Sequence, residues 1–225
     1  MFTIRTLVNV DVIPPHNNNI RRLFSVGYDN EHSLMRIAFP LEQGKVGIRV
    51  YNTLKHNEHK SFEMKAHGKE IGCMAMNRNG SLLATASVGG TIIRVFSMND
   101  YTQVKEVRRG SDNAEIYCIS FDSGYNYIAC TSDRGTVHVF YIGKEEGDKN
   151  RKSVLRKIFS SEKSYFNSEW SFAKYKIGIV KSIVAFGDNN NIFVITSEGK
   201  FYELEFVFGK VGECTKLKEE LISYK

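Results

Sequence analysis

Apolar residues along this chain fall in short runs, many alternating with polar ones, and Gly, Asn and Asp punctuate them. Alternation with a period of two marks strands whose two faces meet different surroundings. Residues 33–39 and 45–51 read as two such strands, with a turn around Gln43-Gly44 between them. Residues 60–65 read as another, and 3–10 and 22–28 as earlier ones. Residues 14–19, with Pro14, Pro15 and Asn17 to Asn19, form a loop by composition.

The clearest pattern is an internal repeat. Ile71, Cys73 and Met76 match Ile116, Cys118 and Phe121. Ala84 and Ser87 match Ala129 and Ser132, and Gly90-Thr91 matches Gly135-Thr136, each pair 45 positions apart. The register then slips by one, so that Val95-Phe96 matches Val139-Phe140. A period of about 40–45 residues with four short strands is the signature of a propeller blade. A weaker copy runs through residues 182–206. The predicted fold is an all-β, WD40-like β-propeller of about four blades, spanning 33–66, 70–109, 115–176 and 180–222. Residues 1–32 are expected to be the remnant of a preceding blade. The Trp-Asp ending of common WD repeats is missing, and the chain has one Trp.

Composition adds a little. The chain is 42% hydrophobic and 25% charged, ordinary for a globular protein. No apolar run approaches the ~18 residues of a membrane span, and the first residues do not read as a signal peptide. Cys73, Cys118, Cys130 and Cys214 lack metal-type spacing and read as reduced thiols. Net charge is +6, and residues 144–181 alone hold ten basic and five acidic residues. A basic excess of that kind suits an anionic partner.

Candidate chemistry centres on Arg108-Arg109-Gly110, at the end of a predicted strand between the two clear repeats. Strand alternation points the two arginines in opposite directions, so they would serve two separate pockets. A guanidinium suits phosphate because it is always charged and donates two parallel hydrogen bonds. Basic dipeptides are expected by chance about four times in a chain of this composition, and Arg21-Arg22 is another. The position of Arg108-Arg109 between the repeats is what sets it apart. His56 and His59 have metal-like spacing but no third ligand, so no metal site is expected. Phosphate loops, nucleophile elbows and nucleic-acid motifs are missing as well, so neither an enzyme nor a nucleic-acid binder is expected.

Several stretches together resemble a known family. They are Ala66-His67, Leu83-Ala84-Thr85-Ala86-Ser87, Gly90-Thr91-Ile92-Ile93-Arg94-Val95-Phe96, Arg108-Arg109-Gly110-Ser111, Glu115-Ile116-Tyr117-Cys118-Ile119-Ser120-Phe121, Thr131-Ser132-Asp133-Arg134-Gly135-Thr136-Val137-His138-Val139-Phe140, Phe166-Asn167-Ser168-Glu169-Trp170-Ser171-Phe172-Ala173-Lys174 and Ala185-Phe186-Gly187. The chain is similar to the PROPPINs, β-propellers that bind polyphosphoinositides, and within them to the shorter WIPI-type members. The likeness covers about residues 33–208 and is most specific over 66–140. It implies seven blades, of which the first three are missing here, and two headgroup sites beside an arginine pair. Val107 stands where the family usually has Phe or Leu.

By this resemblance, one phosphoinositide site comprises His67, Ser87, Thr91, Arg94 and Arg108. The second comprises Arg109, Thr131, Ser132, Thr136 and His138. Ser87, Thr91, Ser132 and Thr136 read equally well as turn residues. The family also implies a role in autophagy, on phosphatidylinositol 3-phosphate and 3,5-bisphosphate, without a cofactor. It implies a cytoplasmic protein, peripheral on preautophagosomal, endosomal or vacuolar membranes, with autophagy partners such as the family's lipid-transfer protein. A WD-type interaction scaffold without lipid binding is the alternative.

Residues 142–167 are far longer than a hairpin loop. Val154, Leu155, Ile158 and Phe159 share one arc of a helical wheel, with Lys152, Arg156 and Lys157 mostly opposite. This suits a short membrane-inserting stretch on an anionic surface. A solvated loop in the free chain is compatible with it.

Overall fold

The computed structural model describes residues 19, 21, 23–55, 59–143, 169–207 and 211–222. Apart from a 3-10 turn at Glu42–Gly44, their regular structure is all strand. In chain order these are β1 (Ser25–Asp29), β2 (Leu34–Pro40), β3 (Lys45–Asn52), β4 (His59–Lys65), β5 (Ile71–Met76), β6 (Leu82–Ser87), β7 (Ile92–Ser97), β8 (Gln103–Arg108), β9 (Ile116–Phe121), β10 (Tyr127–Ser132), β11 (Thr136–Tyr141), β12 (Glu169–Trp170), β13 (Ala173–Lys176), β14 (Ser182–Phe186), β15 (Asn191–Thr196), β16 (Lys200–Glu205), β17 (Gly212–Glu213) and β18 (Thr215–Leu221). Four sheets result: β1-β2-β3-β4, β5-β6-β7-β8, β9-β10-β11-β13 and β14-β15-β16-β18. Within each, the neighbours run antiparallel. This is the sheet pattern of a partial β-propeller.

Why the sheets stack follows from the side chains. In the second sheet, Leu83 and Phe96 pack with Ala38, Val46 and Ile48 of the first. Their neighbours Ala84, Ala86, Ile93 and Val95 pack with Ile128, Cys130 and Phe140 of the third. Alternate residues of one strand therefore fill two different cores, which is why β6 and β7 read as almost unbroken apolar runs. A third core joins Ala129, Val137 and Val139 to Val184, Ile192, Val194 and Leu204 of the fourth sheet. The fourth sheet buries only that face, and all of β18 is exposed.

A repeated contact sets the spacing of sheets. Gly44, Gly90 and Gly135 sit in the turns between second and third strands with φ of 73°, 59° and 68°. A Cβ at each would collide with backbone of the linker into the next sheet: His67, Ala114 and Gly178 respectively. The same linkers hydrogen-bond back to the turns, from His67 N–H to the Gly44 carbonyl and from Ala114 N–H to the Gly89 carbonyl, both 3.0 Å. Left-handed backbone in close contact leaves room only for glycine.

Three strands depart from the sequence-based boundaries. Residues 25–29, assigned to the remnant of a preceding blade, form β1 and pair with β2 in the first sheet. Glu169–Trp170 was expected within the third blade but runs parallel to β8 of the second. Gly212–Glu213 likewise runs parallel to β13 of the third sheet. These short additions cover the outer edges of the second and third sheets, where unpaired N–H and C=O groups would otherwise be open. The expected strand at 3–10 lies outside the described residues.

Candidate functional site

Arg108 closes β8 and Arg109 follows it. Both are buried, at 5 and 6% exposure. Arg108 lies opposite Ile92 of β7 and Trp170 of β12. It shares a face with Glu106, two residues earlier, and so with Arg94, which pairs with Glu106 in register. That face looks toward the first sheet. Arg94 donates Nη1 to the Ala66 carbonyl at 2.8 Å and Nε to Glu106 Oε2 at 2.9 Å. Thr85, opposite Arg94 on its other side, meets the His67 ring: Nε2 to Oγ1 is 3.0 Å. Burial, with Arg94 close by, pushes His67 down to about 4. At neutral pH this imidazole is therefore an uncharged donor or acceptor.

Arg109 turns the other way. Its N–H bonds the Thr91 carbonyl at 2.9 Å, and its guanidinium donates to the Gly90 carbonyl at 3.0 Å and to that of Asp112. Burial disfavours its charge; of the groups that act on it electrostatically, Cys130, Arg134 and Asp133 belong to the third sheet and its turn, and Asp112 to the linker before that sheet. His138 stands on the same side, between Cys130 of β10 and Lys174 of β13. Its Nδ1 is 3.0 Å from Ser171 Oγ, and its ring stacks on Phe140 at 6.1 Å. Burial pushes His138 down to about 4, and Arg109 and Lys174 act in the same direction.

The hydroxyl residues divide. Ser87 Oγ accepts the Gly89 N–H, and Ser132 Oγ accepts the Arg134 N–H, both at 3.3 Å. The two repeats thus use the same serine turn between their second and third strands. Thr91 binds Arg109 and Gly110 through its carbonyl. Thr136 lies opposite Lys176. Thr131 does not join the second cluster: its Oγ1 donates to the Ser182 carbonyl of the fourth sheet at 2.7 Å. Strand alternation sends it to the face opposite His138's partner Cys130. Val154, Leu155, Ile158 and Phe159 lie outside the described residues.

Sequence reasoning did not assign Thr85, Glu106, Ser171, Lys174 or Lys176 to either site. Aligning Glu106-Val107-Arg108 with Lys174-Tyr175-Lys176 would have found the last two. The long segment between residues 142 and 167 hides that alignment by breaking the repeat spacing.

Comparison with known proteins follows the same lines. The PROPPIN family profile matches residues 4–197. Autophagy-related protein 18e of Arabidopsis thaliana is 35% identical over 161 residues, which is 70% of this chain and 42% of that protein. Ectopic P granules protein 6 of Caenorhabditis elegans is 30% identical over 209 residues, 88% of this chain and 51% of that protein. The chain therefore spans about half the length of these curated relatives. Among solved structures, Kluyveromyces lactis Hsv2 with its complete loop 6CD superposes with a TM-score of 0.69 at 22% identity, over 88% of this chain and 62% of that one. KlAtg21 in complex with the coiled-coil of AgAtg16 gives 0.65 at 25% identity, over 89% and 57%. With four stacked sheets, an arginine pair split between two inter-sheet clusters and a profile match across most of its length, the chain belongs to the PROPPIN family.

Proposed function

We propose that this chain binds 3-phosphoinositide headgroups, those of phosphatidylinositol 3-phosphate and 3,5-bisphosphate, and acts as a peripheral membrane effector in autophagy. The observation that carries this reading is the split of Arg108 and Arg109 onto two faces. Arg108 shares its face with Arg94, which lies close to the neutral, buried His67, and Arg109 lies close to the neutral, buried His138 and binds the Gly90 carbonyl of the Ser87 turn. Fixed guanidinium charge with short hydroxyl and imidazole donors suits an inositol phosphate. On this reading His67, Ser87, Thr91, Arg94 and Arg108 serve one headgroup, and Arg109, Ser132, Thr136 and His138 the other. No helix among the described residues is long and apolar enough to cross a membrane. Residence on lipid then takes a second signal, for which Val154, Leu155, Ile158 and Phe159 supply the apolar side chains. The expected location is peripheral on preautophagosomal, endosomal or vacuolar membranes. Autophagy proteins, including a lipid-transfer partner, are the expected protein ligands.

The second reading is a protein scaffold without lipid binding. It is favoured by the engagement of Arg94 with Glu106 and of Arg109 with backbone carbonyls. Liposome flotation separates the two. Wild type should float with vesicles containing either lipid, and Arg108→Thr with Arg109→Thr should not. Equal flotation of the double variant overturns the headgroup reading. Ile158→Asp with Phe159→Asp should lose flotation yet keep binding of soluble inositol phosphates.

A further inference from the structure

The second and third sheets share a register, so their clusters can be compared position by position. Arg94 lies between Thr85 and Glu106, and His138 lies between Cys130 and Lys174. Two residues earlier on each third strand, Ile92 faces Arg108 and Thr136 faces Lys176. Arg108 and Lys176 are thus equivalent positions of like charge. Glu106 and Lys174 are equivalent positions of opposite charge.

This reversal falls where it alters the field around a ligand. In the first cluster the Glu106 carboxylate is 2.9 Å from Arg94 Nε, with both side chains at most a quarter exposed. Part of the arginine's charge is therefore already spent on an internal partner. In the second cluster the Lys174 ammonium takes the carboxylate's place in register, on an exposed side chain, and both it and Arg109 act on His138. Glu213 stands next to Lys174 in parallel register on β17, but it is exposed, and among the described residues no ion pair joins them. The histidines report the same asymmetry. At His67, Glu106 opposes the effect of Arg94, whereas at His138 both Arg109 and Lys174 act against protonation with no acid opposing them. An additional phosphate brings roughly −1.5 to −2 charge at neutral pH. Reversing the charge at this one position changes the field such a group meets, although solvent screens the exposed Lys174 more than the half-buried Glu106.

We propose that the two clusters are unequal headgroup sites. The one holding Arg109, Lys174 and Lys176 takes the more highly phosphorylated ring, and Glu106 restricts the other to the less phosphorylated one. This rests on the headgroup reading above.

The test is calorimetric titration of the full chain with two soluble probes, inositol 1,3-bisphosphate and inositol 1,3,5-trisphosphate. Arg108→Ala leaves the second site and should bind the trisphosphate at least tenfold more tightly than the bisphosphate. Arg109→Ala leaves the first and should discriminate less than threefold. Because Arg109 also holds backbone, two charge reversals in the otherwise native chain provide an independent arm. Lys174→Glu should weaken the trisphosphate about tenfold more than the bisphosphate, and Glu106→Lys should favour the trisphosphate by a similar factor. Equal discrimination by the two single-site variants, or reversals that move both probes equally, overturns the inequality while leaving the headgroup reading standing. A native chain that binds neither probe overturns both.

Discussion

Arg108 and Arg109 are consecutive residues that belong to different inter-sheet interfaces. Arg108 lies in register with Ile92 and Trp170 on the side of the first sheet. Arg109 reaches under the β6–β7 turn to the Gly90 carbonyl, on the side of the third. One peptide unit at the end of β8 therefore links two clusters, and substitutions at the two positions should have separable effects on the fold.

Arg109 carries a structural task. Arg109→Thr removes the donors to the Gly90 and Asp112 carbonyls, and the expected loss is about 1–3 kcal/mol. Arg109→Lys keeps the charge but not the fork, and should recover only part of it. Denaturant midpoints measure this; a threonine variant with the native midpoint would show that those bonds contribute nothing.

Glycines near the arginines should respond oppositely to alanine. Gly90 has φ of 59° and its Cβ would meet the Ala114 carbonyl, so Gly90→Ala should cost more than about 2 kcal/mol. Nothing lies within 4 Å of a Cβ at Gly110, and Gly110→Ala should stay within about 0.5 kcal/mol of native stability. Thermal melting of the pair gives the answer, and similar losses at both positions would contradict it.

Acid should weaken the fold through its histidines. His67 and His138 are held near pKa 4 by burial, against an ordinary value of about 6.5 in the unfolded chain. Between those values the unfolded chain binds more protons. Folded stability is thus undiminished by them above about pH 6.5 and falls as pH drops toward 4. Each contributes a slope of at most about 1.4 kcal/mol per pH unit. His67→Gln should flatten the dependence of the urea midpoint on pH over that window. Imidazole NMR signals titrating near 6.5 for both residues would refute the assignment.

The four thiols should be inert in the folded chain. Burial pushes Cys73 and Cys214 up to about 12 and raises Cys118 and Cys130 as well. Since the thiolate is the reactive form, a thiol-specific chromogenic reagent at pH 8 should label slowly until denaturant is added. Rapid labelling of native protein at any of the four would argue against the burial of Cys73, Cys130 and Cys214 or the half-buried position of Cys118.

Expressed by itself, the chain should self-associate. Ile183 pairs directly with Ile195, and Ile195 with Phe201, across the outer face of the fourth sheet. Ile183 and Ile195 are 59 and 40% exposed. Such a row invites apolar contact between copies. Light scattering should show a mass that grows with concentration, and Ile183→Lys with Ile195→Lys should reduce it. A monomer at all concentrations would contradict the expectation.

What could be read from the chain alone was whatever repeats locally. The 45-residue offset between Gly90-Thr91 and Gly135-Thr136 announces equivalent turns, because only glycine tolerates the left-handed backbone pressed against the next linker. The alternation in β8 likewise sends Arg108 and Arg109 apart, since strand side chains alternate whatever surrounds them. Tertiary structure alone decided the partners. That Thr131 is spent on the Ser182 carbonyl depends on which sheet lies against each face of β10. That Glu169–Trp170 leaves the third sheet for β8 depends on where the second sheet's edge stands. That Glu106 and Lys174 hold equivalent positions depends on strand register across an interrupted repeat. Local conformation follows from nearby residues and backbone sterics; register and the identity of a facing sheet follow from packing between segments far apart in the chain, which no local pattern encodes.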